Sequence, residues 1–322
     1  MPARSKRRSS PSGRPRELDR APRPGGHGAR FDAHLHLSRY WPDLARTGYS
    51  RGIDFSVKGL LRELDAEGIG AGLVLQLPEA PTVAATLEEG EQLRRESRGR
   101  LLRTSTVDPT RGREAVAAAI AAWSAETDLA ALKLYPGYRS FYPHDRRLEP
   151  VYDFAARRGL PVLFHQGDTL DRGGLVKFAR PIEVDEVAVR FRDVRFVLCH
   201  LGNPWIEEAA EIVYKNENVY ADTSGLLGHP TLPLFDGMVR RIVHRLGHAL
   251  ESIGGVDRIL YGSDWPLESI RTAVGIVEQL PLGPEDRERI LGGNARRLFH
   301  RFLPEVPRAR EKPTPQVRTA GS

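Results

Sequence analysis

Eight short apolar runs separated by longer amphipathic stretches are what most restricts the fold of this chain. They read Arg30–Leu37, Ala71–Leu77, Leu101–Val107, Leu129–Tyr135, Leu160–His165, Arg195–His200, Asn218–Thr223 and Arg258–Tyr261. Each is rich in β-branched residues or leucine and short enough for a strand buried on both faces. The intervening stretches are Val57–Glu67, Leu87–Arg98, Arg113–Ala125, Leu148–Arg158, Ile182–Arg192, Trp205–Lys215 and Met238–Glu251. They carry apolar residues at helical spacing, as Leu60, Leu61 and Leu64 do in the first. Gly68, Gly99 and Gly159 follow three of them, where a left-handed residue closes a helix at least cost for glycine. Strand then helix, about eight times over, predicts a (β/α)8 TIM barrel, with a doubly wound parallel sheet as the alternative.

Polar residues gather at the ends of these runs, where a barrel of this kind carries its chemistry. The first reads F-D-A-H-L-H-L; with a side-chain period of two, Asp32, His34 and His36 share one strand face. Two imidazoles beside a carboxylate suit a divalent metal better than an apolar core. The fourth run ends at Lys133 and Tyr135, the fifth at His165, the sixth at His200 and the eighth at Asp264. By alternation with His200, Cys199 is expected to point away from the barrel interior.

Charge separates the body from its ends. Of the net +6, residues 1–30 contribute nine basic side chains against Glu17 and Asp19, so the remainder is close to neutral. That argues against a nucleic-acid-binding face on the body. Residues 1–30 are expected to be a disordered basic tail, 31–306 the barrel, and 307–322 a flexible C-terminal tail. The single cysteine excludes an intrachain disulfide and suits a reducing cytosol. Neither a membrane-length apolar run nor a signal-peptide core occurs, so a cytoplasmic protein is expected.

The runs D-A-H-L-H, L-P-V-L-F-H-Q-G, V-L-C-H-L-G-N-P-W, N-V-Y-A-D-T-S-G and Y-G-S-D-W-P resemble the amidohydrolase superfamily. The likeness is to its amidohydrolase-2 branch, which holds aminocarboxymuconate-semialdehyde decarboxylase, resorcylate-type decarboxylases and lactonases. It extends over roughly 31–302, and I-L-G-G-N-A-R-R-L-F is similar to the branch's C-terminal helix. The resemblance implies that His34, His36, His165 and Asp264 bind one divalent ion, zinc foremost and manganese as the alternative. It implies His200 and Asp264 as the catalytic proton-moving groups. Lys133 stands where binuclear relatives carry a bridging carboxylated lysine; a mononuclear site is expected here, with Lys133 free to anchor a substrate carboxylate.

Further substrate-binding candidates follow from position in the strand-end loops: Arg39, Tyr135, Arg139 and Trp265. Gln166–Pro181 is long for such a connection and reads as a lid. Asp108, Asp222 and Ser263 are placed to orient ligand imidazoles. The expected activity is hydrolysis of a small carboxylate-bearing lactone, ester or amide by metal-bound hydroxide. Non-oxidative decarboxylation of an aromatic or muconate-type acid on the same metal is the alternative. The expected partner is a small-molecule substrate, without membrane or specific nucleic acid, and the resemblance implies a homodimer.

Overall fold

The protein is described by a computed structural model covering residues 30–40, 53–227 and 235–303. Most of the basic tail, the C-terminal tail, Trp41 and His229 lie outside these residues; Arg30 belongs to the barrel, as the first residue of its first strand.

The strands are β1 (Arg30–Leu35), β2 (Ile69–Val74), β3 (Leu101–Ser105), β4 (Leu129–Leu134), β5 (Val162–Phe164), β6 (Phe196–Leu198), β7 (Val219–Asp222) and β8 (Ile259–Leu260). They pair in parallel in sequence order. The sheet closes where Ala33 N donates to Tyr261 O, Asp264 N to His34 O and His36 N to Trp265 O, at 2.8 to 2.9 Å. This is the TIM barrel expected from the alternation.

Seven helices occupy the predicted stretches: α1 (Val57–Ala66), α2 (Val83–Glu96), α3 (Arg113–Ser124), α4 (Glu149–Arg158), α5 (Asp185–Arg190), α6 (Ile206–Lys215) and α7 (Phe235–Ile253). Local chemistry sets their ends. The Ser56 and Thr82 hydroxyls cap α1 and α2 by accepting from Gly59 N and Ala85 N. Gly159 ends α4 in the left-handed region, at φ 61°. α5 is shorter than expected because Pro181–Val184 form a 3-10 turn before it.

After β8 the chain adds α8 (Ile270–Glu278), α9 (Pro284–Glu288) and α10 (Asn294–Phe299). Phe299 stacks on Phe31 with ring centroids 5.6 Å apart, so α10 closes the N-terminal end of the barrel. Two apolar layers result. Leu73, Leu163, Val197 and Leu260 fill the interior with Phe31 and Phe299. Leu60, Leu64, Trp123, Phe164 and Val277 pack between strands and helices. The interior is solid below the strand ends, so chemistry is confined to the opposite mouth.

Candidate active site

β1 brings His34 and His36 to the mouth, but not by simple alternation. Asp32 pairs with Gly72 and Leu35 with Val74, so β1 advances three residues against two on β2. This irregularity breaks the period of two. Phe31 and Ala33 join the interior layer, and Asp32 does not share the histidine face. Its Oδ1 instead accepts from His34 N at 3.0 Å and Ser263 N at 3.1 Å, bracing the β1–β8 seam. Burial pushes the Asp32 carboxyl up to about 7.

Each of the two imidazoles is oriented through its Nδ1. His34 Nδ1 lies 2.9 Å from Asp222 Oδ2 and 2.8 Å from Ser224 Oγ. His36 Nδ1 lies 3.2 Å from Leu75 O. A carboxylate and a carbonyl only accept, so both rings donate from Nδ1 and carry a lone pair on Nε2. Burial lowers His34 to about 3, so it is neutral at physiological pH. The two Nε2 atoms face each other at 3.2 Å. Asp264 Oδ1 lies 3.3 Å from each, buried and without a directed hydrogen bond. Burial would raise the Asp264 carboxyl, but the adjacent His34, His36 and His200 outweigh it and hold it well below the usual range.

Three lone pairs thus converge in a triangle with sides of 3.2 to 3.3 Å. Acceptors facing one another repel unless a cation lies between them. Ligands about 2.05 Å from a tetrahedral zinc-sized ion stand about 3.3 Å apart. The donor set therefore fits a divalent metal, and Asp222 and Leu75 O are the outer groups that fix its imidazoles.

Asp222 does more than hold His34. Its Oδ1 accepts from His200 N at 2.9 Å and, at 2.5 Å, from the Ser224 hydroxyl. Ser224 Oγ is in turn 2.9 Å from His200 Nδ1. Ser224 thus joins the metal-facing His34 to His200. It escaped the sequence reading, although it lies two residues beyond Asp222 in the D-T-S-G run. Gly225, at φ 59°, lets the backbone approach: a Cβ there would meet His200 Nδ1 at 2.6 Å.

On the opposite side, His165 lies outside the converging triad. Its Nε2 is 2.8 Å from Asp168 O, and its ring centroid is 5.1 Å from that of His200 and 4.6 Å from that of Tyr138. Lys133 is fully buried with Nζ 2.8 Å from Cys199 Sγ. Cys199 therefore faces the interior, contrary to the alternation argument. β6 ends at Leu198, and the turn that follows puts His200 at φ 62° and Leu201 at φ 41°. Alternation does not survive such a turn, and Cys199 and His200 both reach the mouth side.

The remaining candidates divide. Tyr135 stands beside Lys133, its hydroxyl donating to Gln76 O at 2.6 Å. Arg139 is half-buried but neutralised by Asp108 at 3.4 Å and Glu79 at 3.8 Å. Arg39 is exposed and faces Glu88. Trp265 is fully buried in the strand–helix layer, stacked on Phe55 and donating to Glu63, so it cannot touch a substrate. Its neighbour Asp264 has φ 63°, which turns the chain so that the carboxylate faces inward and the indole outward. Of the proposed imidazole-orienting groups, Asp222 does so. Asp108 caps a turn, accepting from Thr110 N, and Ser263 accepts from Trp265 N.

The fold and this arrangement define a barrel enzyme with a candidate divalent-metal site at its mouth. The amidohydrolase model of the amidohydrolase-2 type matches residues 31–301, and the chain belongs to that family. A gamma-resorcylate decarboxylase from Polaromonas sp. strain JS666 is 33% identical over 130 residues, 34% of this chain. The match spans 35% of that relative's length. Among solved structures, an uncharacterized TIM-barrel protein from Bordetella bronchiseptica gives a TM-score of 0.65 at 20% identity, over 85% of this chain and 99% of its own. A dihydroxybenzoic acid decarboxylase from Polaromonas sp. JS666, with bound manganese and 2-nitroresorcinol, gives 0.63 at 16% identity over 85% and 97%. At these identities the structural likeness establishes the fold. No helix among the described residues is long and apolar enough to cross a membrane.

Proposed function

We propose that this chain is a divalent-metal-dependent, non-oxidative decarboxylase of a small aromatic carboxylic acid bearing ring hydroxyls. The observation that carries the proposal is the convergence of His34 Nε2, His36 Nε2 and Asp264 Oδ1 beside His200. Hydrolysis of a lactone, expected first from the motifs, uses the same groups; the dihydroxybenzoate decarboxylases among the relatives favour decarboxylation.

The net reaction consumes a carboxylate and a proton and yields the arene and carbon dioxide. His34, His36 and Asp264 would hold a divalent ion, zinc or manganese, which would supply positive charge beside the reacting carboxylate. The chain's own task is to move one proton. His200 is oriented through Nδ1 by Ser224, which leaves Nε2 to carry a proton to the ring carbon bearing the carboxylate. Burial lowers the pKa of His200, so the proton it takes up is readily given away. Lys133 supplies positive charge for the substrate carboxylate, and Tyr135 and Tyr138 supply aromatic walls at the mouth.

The test is turnover of 2,6-dihydroxybenzoate and related hydroxybenzoates by manganese- or zinc-loaded protein in deuterated water. The proposal predicts carbon dioxide release and one deuterium at the vacated ring carbon, both reduced at least about 100-fold in His200→Asn. Absence of decarboxylation across the panel, with ring-opening of a 2-pyrone or other lactone instead, would return the assignment to a hydrolase.

A further inference from the structure

Cys199 is the single cysteine of the chain, so its sulfur has no disulfide partner within the molecule. It is fully buried, as is Lys133, whose Nζ lies 2.8 Å away. Sulfur is larger than oxygen, so an N–H···S contact is expected to be longer than the roughly 2.9 Å typical of N–H···O. The Lys133–Cys199 contact is shorter than that. Lys133 lies in β4 and Cys199 directly follows β6, the two immediate neighbours of β5, and the ladders Lys133↔Leu163 and Phe164↔Leu198 fix the strand registers. Lys133 Nζ donates to Cys199 Sγ; burial raises the thiol, Lys133 opposes the shift, and Asp222, also beside the sulfur, adds to it.

We propose that Lys133 and Cys199 form an oxidative modification site, in which dioxygen joins them through one oxygen atom as an S–O–N bridge. The Lys133 ammonium first gives one proton to solvent, and the amine so formed and the thiol react with one dioxygen molecule; S–O and O–N bonds form while S–H, one N–H and the O–O bond break. Sulfur and nitrogen each give up two electrons, one oxygen atom enters the bridge, and the other leaves as water with the two released hydrogens. Dioxygen needs no polar path, and the layer beneath the pair is apolar, with Leu163 and Val197. No second thiol exists to trap the oxidised sulfur, and the Lys133 nitrogen 2.8 Å from it is close enough for one entering oxygen atom to bond both. The bridge removes the ammonium from the floor of the mouth. If Lys133 anchors the substrate carboxylate, as in the proposed reaction, oxidation weakens substrate binding; the bridge itself does not depend on that reaction.

Intact-mass and peptide analysis of the full chain, prepared in air and again under reductant, tests the site without a substrate. The bridge adds one oxygen and removes two hydrogens, a gain of about 14 Da. It also blocks tryptic cleavage after Lys133 and leaves fragment 114–139 joined to fragment 196–215. Dithiothreitol reverses both changes, and Cys199→Ser shows neither. Three results would each overturn the proposal: an unchanged mass with normal cleavage after prolonged aeration, a loss of about 2 Da from a direct S–N bond, or a gain of about 16 Da with Lys133 still cleaved, which marks oxidation of sulfur alone.

Discussion

On the β1–β8 side of the mouth, His34, His36 and Asp264 are all held by groups that do not take part in the chemistry. His34 is fixed by Asp222 and Ser224, His36 by Leu75 O, and Asp264 by a backbone hydrogen bond from its N to His34 O. On the β4–β6 side the side chains lean on a loop and on one another. His165 touches the carbonyl of Asp168, and the same segment is tied to the β4 end by Leu170 N to the Tyr138 hydroxyl and Leu175 N to Gly137 O. One half of the site is therefore preorganised, and the other is coupled to the segment 166–181. This division is what a site needs if it must hold a charge rigidly yet admit and release a ligand.

The largest effect expected from disturbing the braced side comes from Asp222→Asn. The amide keeps the shape but weakens the grip on His34 Nδ1, and metal affinity should fall about 10- to 100-fold. Titration calorimetry with zinc or manganese measures this; an unchanged affinity would show that the bracing is incidental. On the other side, metal binding should change amide hydrogen exchange several-fold in 166–181 and leave β1 and β8 unaffected. Uniform protection across the barrel would erase the distinction between the two halves.

A smaller effect concerns Glu89, which accepts from the Ser38 hydroxyl and Arg39 N and so anchors the chain after β1. Burial raises its carboxyl above the usual value, with the Arg39 and Ser38 hydrogen bonds opposing. The native state then holds more proton than the unfolded chain just above the ordinary glutamate range, so stability declines as pH rises through that window. Glu89→Gln should flatten this slope in urea unfolding between pH 4 and 7, by less than about 1 kcal/mol. A steeper slope in the variant would reverse the sign. The smallest effect is at Arg39, whose side chain is exposed and paired with Glu88: Arg39→Ala should leave metal affinity and substrate KM within error.

The fold was legible because the eight strands are apolar runs buried on both faces, a pattern that periodicity reports directly. The strand ends were legible as well: His34, His36, His200 and Asp264 all lie at the mouth. Alternation failed wherever the backbone departs from an ideal strand. The irregular β1 pairing separates Asp32 from the histidines, and the left-handed turn at His200 brings that ring to the mouth beside Cys199, which keeps the inward alternation of Val197. Positive φ at Asp264 sends Trp265 into the strand–helix layer. Ser224 went unnoticed because a hydroxyl carries no pattern of its own; its importance comes from three partners drawn from different strands. Arg139 stood in the right loop, but its pairing with Asp108 and Glu79 depends on tertiary placement that spacing does not encode.

The central claim is that one divalent ion is held by the braced triad. Elemental analysis of the purified chain after incubation with manganese or zinc and desalting, beside His36→Ala, tests it directly. The account predicts about one ion per chain in the natural sequence and almost none in the variant, with both folded by circular dichroism. No retained metal in the natural chain, or equal metal in the two, would contradict it.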